Sequence, residues 1–152
     1  MAQSAFEPSA SGPTALFLDT SALFAYFHPR TAEHEEATTF LGRVGNNEIP
    51  YRPLYTNTYV IDELATLLLS KGTHALARTA LSRTLDSEHI TVLAESAGSF
   101  DRAREGFERY EDHEISFTDH VSAVHMRERD VDHVFAYDGD FATLGFERIP
   151  RC

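Results

Sequence analysis

Apolar residues in this chain fall into short unbroken runs and longer runs spaced by threes and fours, and their alternation predicts the elements. Ala15-Leu16-Phe17-Leu18 is short and wholly apolar, as a strand buried on both faces of a parallel sheet is. It ends in Asp19-Thr20-Ser21 before a second apolar run, Ala22 to Phe27. The pattern predicts a strand over 15–18, then a helix, with Asp19 at the strand's carboxyl end, where open α/β sheets bind ligands. Asp19, Thr20 and Ser21 are equally suited to capping that helix. Pro29 breaks the chain, and Thr31 is placed to cap a second helix with Glu33, Glu35 and Glu36 in its first turn. That helix presents Ala37, Phe40, Leu41 and Val44 and stops near Gly45-Asn46-Asn47.

Pro53 to Asn57 predicts a short strand leading into a helix from Thr58 to Leu69 with the stripe Val60, Leu64, Leu67 and Leu68. Glu63 sits inside the edge of that stripe, whereas Asp62 neighbours Thr58, Tyr59, Ala65 and Thr66. A carboxylate on a buried face needs a partner or a metal. A helix over 73–86 presents Leu76, Ala80, Leu81 and Leu85, and Ile90 to Leu93 predicts a strand. A helix from about 98 to 111 presents Phe100, Ala103, Phe107 and Tyr110, the spacing of a core face. Ser116 or Thr118 caps the next helix, with Asp119 in its first turn. His133 to Tyr137 is a strand, Asp138-Gly139-Asp140 a turn at its carboxyl end, and Phe146 to Ile149 a last short strand. Strands alternating with helices imply βαβ units and an α/β fold with a parallel sheet. Residues 1–14 mix Ser, Ala, Gly and Pro without periodicity and predict a disordered leader, which leaves 15–152 as a single domain.

Composition narrows the function classes. No run of about 18 apolar residues predicts a membrane span, and the N-terminus lacks the basic-then-apolar order of a signal peptide, so a soluble cytoplasmic protein is expected. The only cysteine is Cys152, which excludes an internal disulfide and a cysteine-based metal site. Acids outnumber bases 24 to 13, for a net charge of -11, and Lys71 is the only lysine. So acidic and lysine-poor a chain predicts adaptation to high salt, where screening relieves self-repulsion. It also means that phosphate binding requires a local arginine patch. Arg78, Arg83, Arg102, Arg104 and Arg109 are the candidates, with surface ion pairs as the competing role.

Asp19 and Asp138 end strands, Asp119 starts a helix, and Glu63 sits on a buried helical face, so one site can gather all four. Carboxylates brought together without bases repel, and such a cluster is stable only when protons or hard cations neutralise it. Oxygen-only ligands favour Mg²⁺ or Mn²⁺ over Zn²⁺, and magnesium that keeps several waters serves phosphoryl transfer.

Four segments carry a family resemblance: Leu18-Asp19-Thr20-Ser21, Val60-Ile61-Asp62-Glu63-Leu64, Phe117-Thr118-Asp119 and Tyr137-Asp138-Gly139-Asp140-Phe141. In their order and spacing, over roughly residues 15 to 149, the chain resembles the PIN domain, and most of all the VapC-type toxins of bacteria and archaea. The resemblance implies a three-layer α/β/α fold with a mostly parallel sheet. It further implies an acidic site holding Mg²⁺ or Mn²⁺ and a metal-dependent endoribonuclease that cuts RNA by in-line attack of a metal-activated water. Residue by residue, Asp19, Glu63, Asp119 and Asp138 correspond to the catalytic and metal-holding quartet. Asp140 corresponds to an accessory acid, and Thr20, Ser21 and Thr118 to hydroxyls that orient ligands or waters. An antitoxin partner and a homodimer are also implied. A housekeeping PIN nuclease of rRNA or tRNA maturation, or a non-catalytic cation-binding scaffold, are the alternative readings.

Overall fold

The computed structural model describes residues 5–8 and 12–151. Five strands, β1 (Thr14–Leu18), β2 (Tyr51–Asn57), β3 (Ile90–Leu93), β4 (His133–Phe135) and β5 (Glu147–Ile149), form one sheet in the order β3-β2-β1-β4-β5. All four pairings are parallel, so the sheet is wholly rather than mostly parallel. Parallel neighbours need crossovers, which helices supply. α1 (Thr20–Phe27) and α2 (His34–Gly45) follow β1, and α3 (Thr58–Lys71) and α4 (His74–Leu85) follow β2. α5 (Ala97–Arg109) and α6 (Phe117–Glu128) lead from β3 to β4, and the single turn α7 (Asp140–Thr143) leads to β5. The result is an α/β/α arrangement with the sheet as its middle layer.

The chain runs outward from β1 through β2 to β3, then returns past β1 to β4 and β5. The order therefore reverses between β1 and β4, and a crevice at such a switch point is where α/β sheets place their sites. Leu16, Phe17, Leu18, Val134 and Phe135 have no exposed surface, which explains why β1 and β4 are apolar at every position after their first.

Four expectations are corrected. Residues 1–14 were excluded from the fold, but Phe6 packs on Phe40 with ring centroids 4.6 Å apart, Arg151 N–H donates to Ala5 O at 3.0 Å, and Thr14 begins β1; residues 1–4 and 9–11 lie outside the described residues. Thr31 does not cap α2 with its side chain. Its carbonyl accepts from His34 N–H in a turn, and the cap residue is Glu33, without a side-chain bond. α4 turns Ala77, Ala80 and Thr84 inward and leaves Leu85 51% exposed, because small side chains allow closer approach than the leucines would. α5 buries only Ser99 and Ala103, and Phe100 and Phe107 are 40% and 48% exposed, so the aromatic stripe is not a core face.

Candidate metal centre

Asp19 follows β1 and is the N-cap of α1, using one of its two carboxylate oxygens. Its Oδ2 accepts from Ser21 N–H at 3.2 Å and from Ser21 Oγ at 2.7 Å. Ser21 Oγ in turn accepts from Tyr137 N–H at 2.9 Å, and Asp19 N–H donates to Phe135 O at 3.0 Å, so the acid is fastened to the exit of β4. Its Oδ1 is buried and has no hydrogen-bond partner among the described residues. A buried carboxylate oxygen is costly unless a proton, a water or a cation satisfies it.

Asp119 is buried in the first turn of α6, its N–H held by the Ser116 cap at 3.1 Å. Ser116, not Thr118, is therefore the cap, and Thr118 stands half-buried beside Asp119. Asp138 Oδ1 accepts from Asp140 N–H at 3.2 Å, which folds the Asp-Gly-Asp turn so that both acids face Asp119. One carboxylate oxygen from each of Asp119, Asp138 and Asp140 lies within 4.8 Å of the other two. Asp140, expected as an accessory acid, thus sits in the tightest group.

The electrostatics join the remaining acids. Burial, then the charge of Asp138, pushes the Asp19 carboxyl up to about 7, against the lowering effect of hydrogen bonds from Ser21 and from the Thr20 backbone. Burial pushes Asp119 up to about 8, followed by the charges of Asp19, Asp138, Glu63 and Asp140. Asp140 is raised by burial and Asp138, while His113 pulls it down. Glu63 is half-buried and acts on Asp119, whereas Asp62 is exposed, which favours Glu63 as the helical face did. No cation is among the groups that shift Asp19 or Asp119. Three carboxylates within 4.8 Å of one another, with Asp19 and Glu63 near enough to raise Asp119 and one buried oxygen orphaned, fit a hard divalent cation. Thr20 is buried with its Oγ1 unpartnered among the described residues.

One supporting residue went unread in the sequence. Asn57 is fully buried at the end of β2, and its Oδ1 caps α3 by accepting from Val60 N–H at 2.8 Å. Its Nδ2 donates to Ser122 Oγ at 3.0 Å and lies 3.2 Å from His125 Nδ1, both on α6. It therefore ties the helix of Glu63 to the helix of Asp119. An Asn between a strand and a helix signals a cap, but no local pattern reports the contact with α6.

The arginines divide. Arg83 donates to Tyr26 Oη at 2.8 Å, at the far end of α1 from Asp19, and Arg78 lies with it on α4. Arg104 pairs with Glu108. Arg102 and Arg109 line a cavity beside His120, the residue after Asp119.

Comparison with known proteins gives the family of the chain. The chain matches the PIN domain family over residues 16–147. It is 30% identical over 138 residues to the 23S rRNA-specific endonuclease VapC20 of Mycobacterium tuberculosis, covering 88% of this chain and 97% of that one. The crystal structure of that VapC20, a Sarcin-Ricin loop cleaving toxin, superposes with a TM-score of 0.76 over 86% of this chain and 95% of the other. VapBC2 from Rickettsia felis, solved bound to a DNA fragment from its promoter, shares the fold at a TM-score of 0.63 and 12% identity, covering 89% of this chain and 97% of that one. With the matched segment running from within β1 to the first residue of β5, and the acids at the switch point of an all-parallel sheet, this chain belongs to the PIN domain family.

Proposed function

We propose that the protein is a metal-dependent endoribonuclease of the VapC type, the toxin of a toxin-antitoxin pair acting in the cytoplasm. The observation that carries this reading is the orphaned Oδ1 of Asp19 together with the cluster of Asp119, Asp138 and Asp140, with no cation among the groups that shift Asp19 or Asp119. Mg²⁺ or Mn²⁺ suits these ligands, with Asp119, Asp138 and Asp140 grouped to hold it and Asp19 and Glu63 adding their charge beside them. Bound there, the ion supplies the charge that offsets the carboxylates and phosphate and lowers the pKa of a water for attack.

The chain's own residues do the rest. Ser21 fixes the direction of Asp19, leaving Oδ1 aimed away from the cap. Burial and the neighbouring carboxylates raise Asp119 to about 8 and Asp19 to about 7, so a cation loading the site competes with protons on these acids. Thr20 and Thr118 offer hydroxyls at the rim for a ligand or water. Asn57 keeps α3 and α6 in register, so Glu63 faces Asp119.

The similarity to VapC20 makes the sarcin–ricin loop of 23S rRNA the first RNA to offer. Expression without a cognate antitoxin is expected to arrest growth, with rRNA nicked in lysates, and Asp119→Asn to do neither. Growth arrest that persists with Asp119→Asn overturns the reading. A stable complex with a small partner protein encoded beside the chain supports the toxin role over a housekeeping nuclease.

A further inference from the structure

One face of α2 grips the exit of β4. Glu36 and Phe40 are four residues apart on that helix and so stand side by side. Phe40 packs edge-on against Phe135 with centroids 4.8 Å apart. Two residues beyond Phe135, Tyr137 Oη donates to Glu36 Oε1 at 3.0 Å, and the Tyr137 ring stands edge-on to Phe135 at 5.6 Å. α2 is in turn held to α1, where His34 Nδ1 lies 2.8 Å from Ala25 O.

Tyr137 also reaches the acids through its backbone. Its N–H donates to Ser21 Oγ at 2.9 Å, and Ser21 Oγ donates to Asp19 Oδ2 at 2.7 Å. A hydroxyl has one proton to give. With a lone pair of Ser21 Oγ taken by the Tyr137 N–H, that proton is left for Asp19, so the set of the Tyr137 peptide governs the bond that orients the acid. The next residue is Asp138, which stands in the group with Asp119 and Asp140 and whose charge acts on Asp19. Tyr137 is thus one peptide link from Asp138 and one hydroxyl from Asp19.

We propose that Tyr137, anchored by Glu36, is a positioning residue of the metal centre. Its phenol fixes the peptide from which Asp138 starts and to which Ser21 and Asp19 are tied, and so sets the spacing of the two acids. This rests on the metal-centre reading and deepens it by giving a role to α2, which supplies none of the clustered acids. A phenol bonded to a carboxylate makes a charge-assisted, directional bond, which the ring contacts beside it do not. Glu36 is exposed, and bonds to exposed carboxylates add little stability, so the tie acts on geometry more than on folding. Geometry is read out in metal affinity, because outer partners orient the ligands.

The test is calorimetric titration with Mn²⁺ alone, with amide hydrogen exchange followed in chelator. Tyr137→Phe keeps the ring and loses the bond. Glu36→Ala removes the acceptor, Glu36→Gln keeps an acceptor oxygen without the charge, and Glu35→Gln removes a charge from the same turn of α2. Tyr137→Phe and Glu36→Ala are each expected to weaken Mn²⁺ binding roughly 3- to 10-fold, less than the loss of a ligand's direct partner. Combined, they weaken it no further, because both delete one interaction. Both also speed exchange at the Tyr137 amide, with Tm in chelator within about 2 °C of wild type. Glu36→Gln and Glu35→Gln bind as wild type does. Wild-type affinity in Tyr137→Phe overturns the proposal, as does unchanged exchange at Tyr137. An equal loss in Glu36→Gln and Glu35→Gln overturns it too, since charge at a distance then accounts for the effect. So does a lower Tm with affinity intact, which leaves the bond a tie of the fold alone. A wild type that binds no Mn²⁺ removes the metal-centre reading and this proposal with it, whereas a wild type that binds no better than Tyr137→Phe removes the proposal alone.

Discussion

Ser21 Oγ holds Asp19 Oδ2 at 2.7 Å and takes Tyr137 N–H at 2.9 Å, so one hydroxyl sets the direction of the acid at the centre of the site. Ser21→Ala removes both bonds and one of the influences that keep the Asp19 carboxyl from rising further. Mn²⁺ affinity is expected to fall about 10- to 100-fold, read by calorimetric titration, with the melting profile little changed in chelator. Unchanged affinity would mean that Ser21 only caps α1. The carboxyls also predict a pH dependence. Asp19 and Asp119 have folded values of about 7 and 8 against an ordinary 3.8, so on raising pH the unfolded chain loses its protons first. Their contribution to stability is full below about pH 4 and is lost progressively up to about pH 8. In chelator, the stability difference between Asp119→Asn and wild type should shift toward the variant across that window by an amount on the order of a few kcal/mol. A pH-independent difference would contradict the burial of Asp119. Asp19 was legible because an acid ending an apolar run has few roles, cap or site. That one oxygen would cap and the other stay free was not, since it depends on Tyr137, more than a hundred residues away.

At the scale of elements, α6 is the piece on which the site turns, with every residue from Asp119 to Met126 buried. It is fixed from β2 by Asn57 and shaped against α5 by Gly106. Asn57→Ala deletes a cap and leaves Ser122 and His125 facing a hole. A loss of about 2–3 kcal/mol is expected, seen as a fall in Tm of roughly 5–10 °C. A Tm within a degree or so of wild type would show that the buried pairings carry no net stabilisation. Gly106→Ala places a carbon 2.9 Å from His120 Nδ1 and is expected to cost about 1–3 kcal/mol by denaturant unfolding as the two helices part. The order of strands and helices followed from period alone, because short apolar runs and three-four spacing respond to burial directly. Which face each helix buries followed less well. α4 and α5 turn alanines inward and leave Leu85, Phe100 and Phe107 partly outside, because close approach to neighbours favours small residues over large ones. The aromatics of α5 read as core from spacing, yet Phe100 and Phe107 pack on Phe117 at the surface.

For the whole molecule, a net charge of -11 and the carboxylates around Asp119 have the same consequence, a compact state strained by its own charge. Tm in chelator should rise between about 0.1 and 2 M KCl as screening shortens the reach of that repulsion. A Tm that falls with KCl would contradict the high-salt reading. No helix among the described residues is long and apolar enough to cross a membrane. The parallel sheet was legible as a class, but its strand order was not. The order β3-β2-β1-β4-β5 decides that the ends of β1 and β4 share a crevice, and only the four acids in sequence hinted at it. The account is tested most directly by cutting a labelled RNA that contains the sarcin–ricin loop, with Mn²⁺ or with chelator, by wild type and by Asp19→Asn. Cuts by the wild type with metal, none in chelator and none by a folded Asp19→Asn are the predicted result. Cutting by Asp19→Asn at the wild-type rate, or by the wild type in chelator, would contradict the metal centre built on Asp19.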